Sequence, residues 1–196
     1  MTKVLLLDID GVLTLHRSGY FSDRLITDFN ISSDNSKLFV NEILKPSLTG
    51  KLDLKPAFAK LLNDWGINKS VNEMFEYWWA EENKLNIELL NEMKILKSQG
   101  IQIYLASNQE QYRANCLKDL LGNYIEGAFF SCELGFLKEE KGFWLKVLNE
   151  LSQFKPSEII YFDDDQANIE SAKEFGINSC LYTNLADFKN SVASLS

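Results

Sequence analysis

The chain of 196 residues sets 20 Lys+Arg against 28 Asp+Glu, a formal net charge of −8 at pH 7, and is 45% hydrophobic. That length suits one compact domain, or one domain carrying a modest insertion, and the composition excludes disordered, collagen-like and low-complexity classes. An acidic chain without a basic tract is a poor nucleic-acid binder, and it repels a phosphorylated substrate unless a cation or local positive charge intervenes.

The first apolar run, Val4–Leu7, is interrupted by Asp8. It is shorter than the roughly 7–15 residues of a secretory h-region, and nothing later reaches the roughly 18 apolar residues of a membrane span. The expectation is a soluble, cytoplasmic protein with no membrane partner. Runs this short fit buried parallel strands, and they recur at Ile101–Ala106, Ala128–Phe130, Ile159–Phe162 and Cys180–Tyr182. Before the second run lie helical faces: Phe39, Val40, Ile43 and Leu44; Phe58, Leu61, Leu62 and Trp65, ended by Gly66; and Met74, Tyr77 and Trp78. Leu89, Met93 and Leu96 repeat at helical spacing, with Lys97 and Gly100 as terminal charge and stop. Trp144, Val147, Leu148 and Leu151 do so ahead of Pro156, and Ile169 and Ala172 ahead of Gly176. Strands alternating with helices predict an α/β domain with a mainly parallel sheet.

About 90 residues separate the first two strands, where a parallel crossover needs only about a dozen. The simplest account is a small all-helical insertion at residues 15–83, leaving residues 1–14 and 84–196 as the core. Leaving from the C-terminal end of the first strand, it stands over the sheet's carboxyl edge, where open α/β sheets bind ligands.

The chemistry-bearing residues fall at that edge. Asp8 and Asp10 follow the first strand two residues apart, so in an extended chain they face one spot, and Gly11 lets the chain turn away. Two close carboxylates call for a cation, or for one of them to be held protonated as an acid. Asp163, Asp164 and Asp165 follow the fourth strand, of which Asp165 suffices as a helix cap. Oxygen-rich, His-free clusters select a hard cation, and few protein ligands suit Mg²⁺. Ser107 and Asn108 after the second strand offer a hydroxyl and helix N-terminal amides for an anion. After the third strand, Lys138 follows a Gly135 turn and could reach a phosphate or link the acids, with Lys141 a competitor for that role. Cys116, Cys132 and Cys180 lie far apart without a CxxC pair, which reads as reduced thiols. His16 is the sole histidine, so a His-based triad or zinc site is not expected. Trp78 and Trp79 read as helix packing.

In their order, Asp8-x-Asp10-Gly11-Val12-x-Thr14, Ser107-Asn108, Lys138 and Asp163-Asp164-x-x-x-Asn168 resemble the four motifs of the haloacid dehalogenase-like (HAD) hydrolase superfamily. The Gly135-x-x-Lys138 turn, the Phe143-Trp144 pair and the double Asp are similar to its sugar-phosphate phosphatase branch, α-D-glucose-1-phosphate phosphatase-like, although Glu139 stands where that branch usually has Pro. The resemblance implies a Rossmann-like core, a helical C1 cap where the insertion lies, and a Mg²⁺-dependent phosphatase acting on a small phosphorylated metabolite such as a sugar phosphate. It implies Asp8 as nucleophile and Asp10 as acid and base. Asp8, the carbonyl of Asp10 and Asp164 hold the metal, with Asp163 as a further ligand or support. Ser107, Lys138 and the Ile9 and Asn108 amides bind the phosphoryl oxygens. A phosphomutase shares both aspartates, and a phospho-accepting module without turnover is the rival of another class. As an assembly, a monomer or a homodimer is expected.

Overall fold

The computed structural model describes residues 3–15 and 19–195; His16 lies outside them. Strand β1 (Val4–Leu7) runs into a wide turn at Ile9–Leu13, closed by the Thr14 amide donating to the Ile9 carbonyl at 2.8 Å. Gly11 in that turn has φ +75°, a left-handed conformation that costs a side-chain-bearing residue and that glycine adopts freely. The helical segment comprises α1 (Phe21–Phe29), α2 (Ser33–Leu38), a π-helical turn at Phe39–Leu44 leading into α3 (Lys45–Ser47), α4 (Leu54–Asp64) and α5 (Val71–Glu82). Then follow α6 (Ile87–Ser98), β2 (Gln102–Ser107), α7 (Gln111–Leu121), β3 (Gly127–Phe130), α8 (Ser131–Leu134) and α9 (Lys141–Glu150). The chain closes with β4 (Ile159–Asp163), α10 (Gln166–Lys173), β5 (Asn178–Leu181) and α11 (Leu185–Leu195).

The five strands form one parallel sheet in the order β3-β2-β1-β4-β5. Alternation along each central strand divides its side chains between two layers. Leu5, Leu7, Ile160 and Phe162 join the α6, α7 and α11 residues Met93, Leu117 and Phe188 in one core. Val4, Leu6, Ile159 and Tyr161 join Phe143, Trp144 and Ile169 of α9 and α10 in the other. This sandwich of helices on both faces explains why β1 and β4 read as unbroken apolar runs. The edge strand β5 begins two residues earlier than its apolar run, because Asn178 and Ser179 pair with Ile160 and Tyr161 of β4 while their polar side chains hide the strand from a hydropathy reading.

Residues of the helical segment make a third cluster, in which Phe21, Phe39, Phe58, Met74 and Trp78 are buried together. Phe21 stacks on Trp78 at 4.3 Å, and Phe75 on Trp79 at 4.8 Å, so both tryptophans pack within the segment as expected. Ser70 and Glu73 form a capping box that starts α5. Helix α1 escapes the periodicity reading because only Phe21 and Leu25 of its residues are buried; Arg24 ties it to α5 through the Trp78 carbonyl at 3.0 Å. The two stems of the segment pair antiparallel at Thr14 and Leu85, with the Leu15 amide donating to the Lys84 carbonyl at 2.8 Å and the Asn86 amide to the Leu13 carbonyl at 2.9 Å. Gly50, at φ +69°, lies so close to the core that a Cβ would sit 2.4 Å from the Cys132 carbonyl oxygen.

Candidate active site

The register Leu7↔Phe162 places the ends of β1 and β4 side by side, so Asp8 and Asp163 emerge together at the carboxyl edge of the sheet. The chain leaves β1 toward β2 on one side while β4 lies on the other, which makes this the point where strand order reverses and a crevice opens. Lys138 lies between the two acids, its Nζ 2.8 Å from Asp8 Oδ1 and 2.7 Å from Asp163 Oδ2. All three side chains are buried.

The Lys138 turn is held by its main chain. Its amide donates to Asn108 Oδ1 at 2.9 Å, and its carbonyl accepts from Trp144 Nε1 at 2.7 Å and Ser171 Oγ at 3.0 Å. Asn108 therefore commits its side-chain carbonyl to bracing this turn, and the Phe143-Trp144 pair acts through the Trp144 indole. Lys141, by contrast, is exposed and pairs with Glu174 at 3.4 Å. Of the two candidate lysines, Lys138 is the one against the acids.

Asp163 is saturated. Oδ2 accepts from Lys138 and from the Tyr161 hydroxyl, and Oδ1 accepts from the Asp165 amide at 2.8 Å and Asn168 Nδ2 at 3.2 Å. Burial, with Asp163 beside it, holds the Tyr161 hydroxyl well above its ordinary value, so it donates to Asp163 as a neutral phenol. Asp8 is different: its buried Oδ1 meets the Lys138 ammonium at 2.8 Å and has none of the further donors that surround Asp163. Burial raises the Asp8 carboxyl to about 7, against the pull of Lys138 and with the help of Asp163 and Asp10. Burial also opposes the charge of Lys138, yet Asp8 and Asp163 together keep its ammonium above the ordinary range. Asp164 is exposed. Asp8, Asp163 and Asp164 each bring a carboxylate oxygen within 4.8 Å of the others. An all-oxygen, carboxylate-only set of this kind fits a hard divalent cation such as Mg²⁺.

Asp10 joins a second network. Arg113 of α7 grips it with both ends of its guanidinium, Nη1 to Oδ2 at 2.9 Å and Nη2 to Oδ1 at 2.6 Å. Gln109 Nε2 donates to Asp10 Oδ2 at 3.0 Å and to Ser107 Oγ at 3.1 Å. Glu110 caps α7, accepting from the Tyr112 and Arg113 amides at 2.6 and 2.7 Å, which sets where Arg113 leaves the helix. Ser107 thus lies in the Asp10 network, and Ile9 is buried in the turn that carries Asp10. Asp10 lines two adjoining clefts. One of about 490 Å³ opens past Thr14, Tyr20, Asp164 and Gln166; the other, of about 420 Å³, runs between core and helical segment past Phe21, Val40, Leu44, Leu48 and Trp78.

Sequence reading missed Arg113, Gln109 and Glu110. A signal existed: the chain has only three arginines among its 20 Lys+Arg, and Arg113 falls in the first turn after the Ser107-Asn108 motif. Arginine is the residue suited to buried, forked carboxylate pairing.

Solved structures share this fold. Two solved structures match nearly end to end: the HAD family enzyme BT-2542 from Bacteroides thetaiotaomicron, at 19% identity and TM-score 0.82 over 97% of this chain and 98% of that one, and a predicted HAD-like family hydrolase from Porphyromonas gingivalis, at 18% and 0.82 over 100% and 98%. Wild-type BT-2542 in complex with magnesium and inorganic phosphate matches at 21% identity and TM-score 0.77, over 93% of this chain and 95% of that one. Rat bifunctional epoxide hydrolase 2 is 25% identical over 125 residues, a match spanning 61% of this chain and 22% of that protein. Among the described residues, no helix is long and apolar enough to cross a membrane. The family model for haloacid dehalogenase-like hydrolases matches residues 2–176, and the chain belongs to that family.

Proposed function

We propose that the protein is a Mg²⁺-dependent phosphatase that hydrolyses a small phosphorylated metabolite, such as a sugar phosphate, through an aspartyl phosphate on Asp8, with residues 15–83 as a cap over the site. The observation that carries this reading is Asp8 itself: a buried carboxylate held against a lysine ammonium at 2.8 Å and within reach of the Asp164 carboxylate. The magnesium and phosphate complex of the Bacteroides relative supports it.

In this reading an Asp8 oxygen attacks phosphorus as the P–O bond to the leaving group breaks, and the Asp10 carboxyl gives its proton to the departing oxygen. The Asp10 carboxylate then takes a proton from the water that attacks the aspartyl phosphate, releasing phosphate and restoring both aspartates. Asp8, the carbonyl of Asp10 and Asp164 would hold Mg²⁺, with Asp163 supporting from behind because its oxygens are already engaged. When bound, Mg²⁺ offsets the carboxylate charge that would repel a phosphate. Lys138, Ser107 and the Ile9 and Asn108 amides bind the phosphoryl oxygens as negative charge is redistributed. The helical cap excludes bulk water and selects the leaving group.

The test is phosphate release from p-nitrophenyl phosphate and a panel of sugar phosphates, with Mg²⁺ and with EDTA, alongside acid quenching to trap a phosphorylated enzyme. Mg²⁺-dependent release with label on Asp8 is the expected result. Absence of both release and label across the panel refutes the reading.

A further inference from the structure

Arg113 is 3% exposed, and each of its five N–H donors has a partner. Nη1 donates to Asp10 Oδ2 at 2.9 Å and to Gln109 Oε1 at 3.0 Å; Nη2 donates to Asp10 Oδ1 at 2.6 Å and to the Glu82 carbonyl at 3.0 Å; Nε donates to Asn83 Oδ1 at 3.2 Å. The Glu82 carboxylate lies 3.5 Å from Nη1. Glu82 is the last residue of α5 and Asn83 caps that helix, so these two partners sit where the helical segment returns to the core. Asp10 sits where the chain leaves the core for the same segment, and its side chain, 31% exposed, borders both clefts. One guanidinium therefore joins a carboxylate at the outgoing stem to the end of α5 at the returning stem.

A buried ion pair is weak support for stability, since desolvation offsets much of the attraction. A fully engaged fork does something else: it fixes a carboxylate in one orientation, because both oxygens are met by parallel N–H bonds in a rigid plane. Orientation is what a proton-transferring group needs, and a displacement of about 1 Å there can cost about 10²-fold in rate. We infer that Arg113 is a positioning residue for Asp10, and that it registers Asp10 to the returning stem of the cap through Glu82 and Asn83. The inference rests on the phosphatase reading for the task Asp10 performs, but the placement of Asp10 can be measured apart from it.

The kinetic test compares kcat/KM for p-nitrophenyl phosphate and phenyl phosphate in Mg²⁺, for the wild type, Arg113→Lys and Asn83→Ala. These substrates have similar shape, but the phenyl leaving group depends more on a proton from Asp10, and kcat/KM reports the steps through formation of the aspartyl phosphate. General acid catalysis is worth about 10²–10⁴-fold, so partial misplacement should widen the p-nitrophenyl to phenyl ratio at least about tenfold in Arg113→Lys. In Asn83→Ala, which leaves Arg113 itself intact, the ratio should widen about threefold. Equal losses on both substrates, or no loss, overturn the inference, because a merely structural contact would not discriminate between leaving groups. A crystal structure of Arg113→Lys supplies the readout that needs no turnover: the Asp10 carboxylate should leave its present position, and an unmoved Asp10 overturns the inference. A wild type inactive on every phosphomonoester would instead count against the phosphatase reading, with the Asp10 position in the variant still deciding this one.

Discussion

Replacing Lys138 by Met removes the one ammonium that lies between two buried carboxylates while keeping nearly the same chain length. The Lys138, Asp8 and Asp163 side chains are 3%, 6% and 0% exposed, so water cannot take over the lost contacts. Breaking a buried ion pair from one side costs roughly 3–5 kcal/mol. For a chain of this size each kcal/mol lowers the unfolding temperature by about 2–4 °C, so Lys138→Met should unfold about 6–20 °C below wild type in EDTA at pH 8. The sign with pH follows from Asp8, whose carboxyl is raised from 3.8 to about 7 chiefly by burial. Between those values the native state holds a proton that the unfolded chain has released, so Asp8 makes the protein less stable as pH rises through that window. Without Lys138 the carboxyl climbs further, and the penalty above pH 7 grows. The difference between variant and wild type should therefore be widest at pH 8 and shrink toward pH 5, where a neutral Asp8 no longer needs a cation. Differential scanning calorimetry at both pH values checks this. A shift under about 3 °C at pH 8, or one that widens on acidification, would refute the account of Lys138 as a buried counter-ion.

Three more outcomes are open to measurement. Asp8→Asn should keep the fold, with circular dichroism and unfolding temperature close to wild type, while lowering kcat at least about 10³-fold because the proposed nucleophile is gone; turnover near the wild-type rate would remove Asp8 from that role. Mg²⁺ at about 100 times its Kd should stabilise the protein by about 2.7 kcal/mol, a rise of about 5–11 °C by thermal shift, and Asp164→Asn should abolish most of that rise. Gly50→Ala should cost about 1–3 kcal/mol in denaturant unfolding, since the new Cβ meets both a left-handed φ and the Cys132 carbonyl oxygen at 2.4 Å; a neutral result would mean that the helical segment does not rest on the core there.

Much of this protein is legible in one dimension because its central strands are buried on both faces. Val4–Leu7 and Ile159–Phe162 are unbroken apolar runs, each ending where polar chemistry begins, so the strand ends and the acids that follow them can be read together. The same logic fails at β5, an edge strand opened by Asn178 and Ser179, and at α7, where a mostly polar helix buries Ala114, Leu117 and Leu121. The long gap after β1, filled by helices, is more chain than a parallel crossover needs, which makes an insertion the expectation there. Spacing cannot show how that helical segment is braced. The choice between Lys138 and Lys141 rests on Asn108, Trp144 and Ser171 holding the Lys138 main chain from separate elements. The grip of Arg113 on Asp10 spans 103 positions, with its other partners at Glu82 and Asn83. Local runs of residues dictate strands, helix ends and the motif acids through short-range sterics and burial. Which charged side chains meet depends on sheet register and on the return path of the helical segment, and those follow from packing the whole chain.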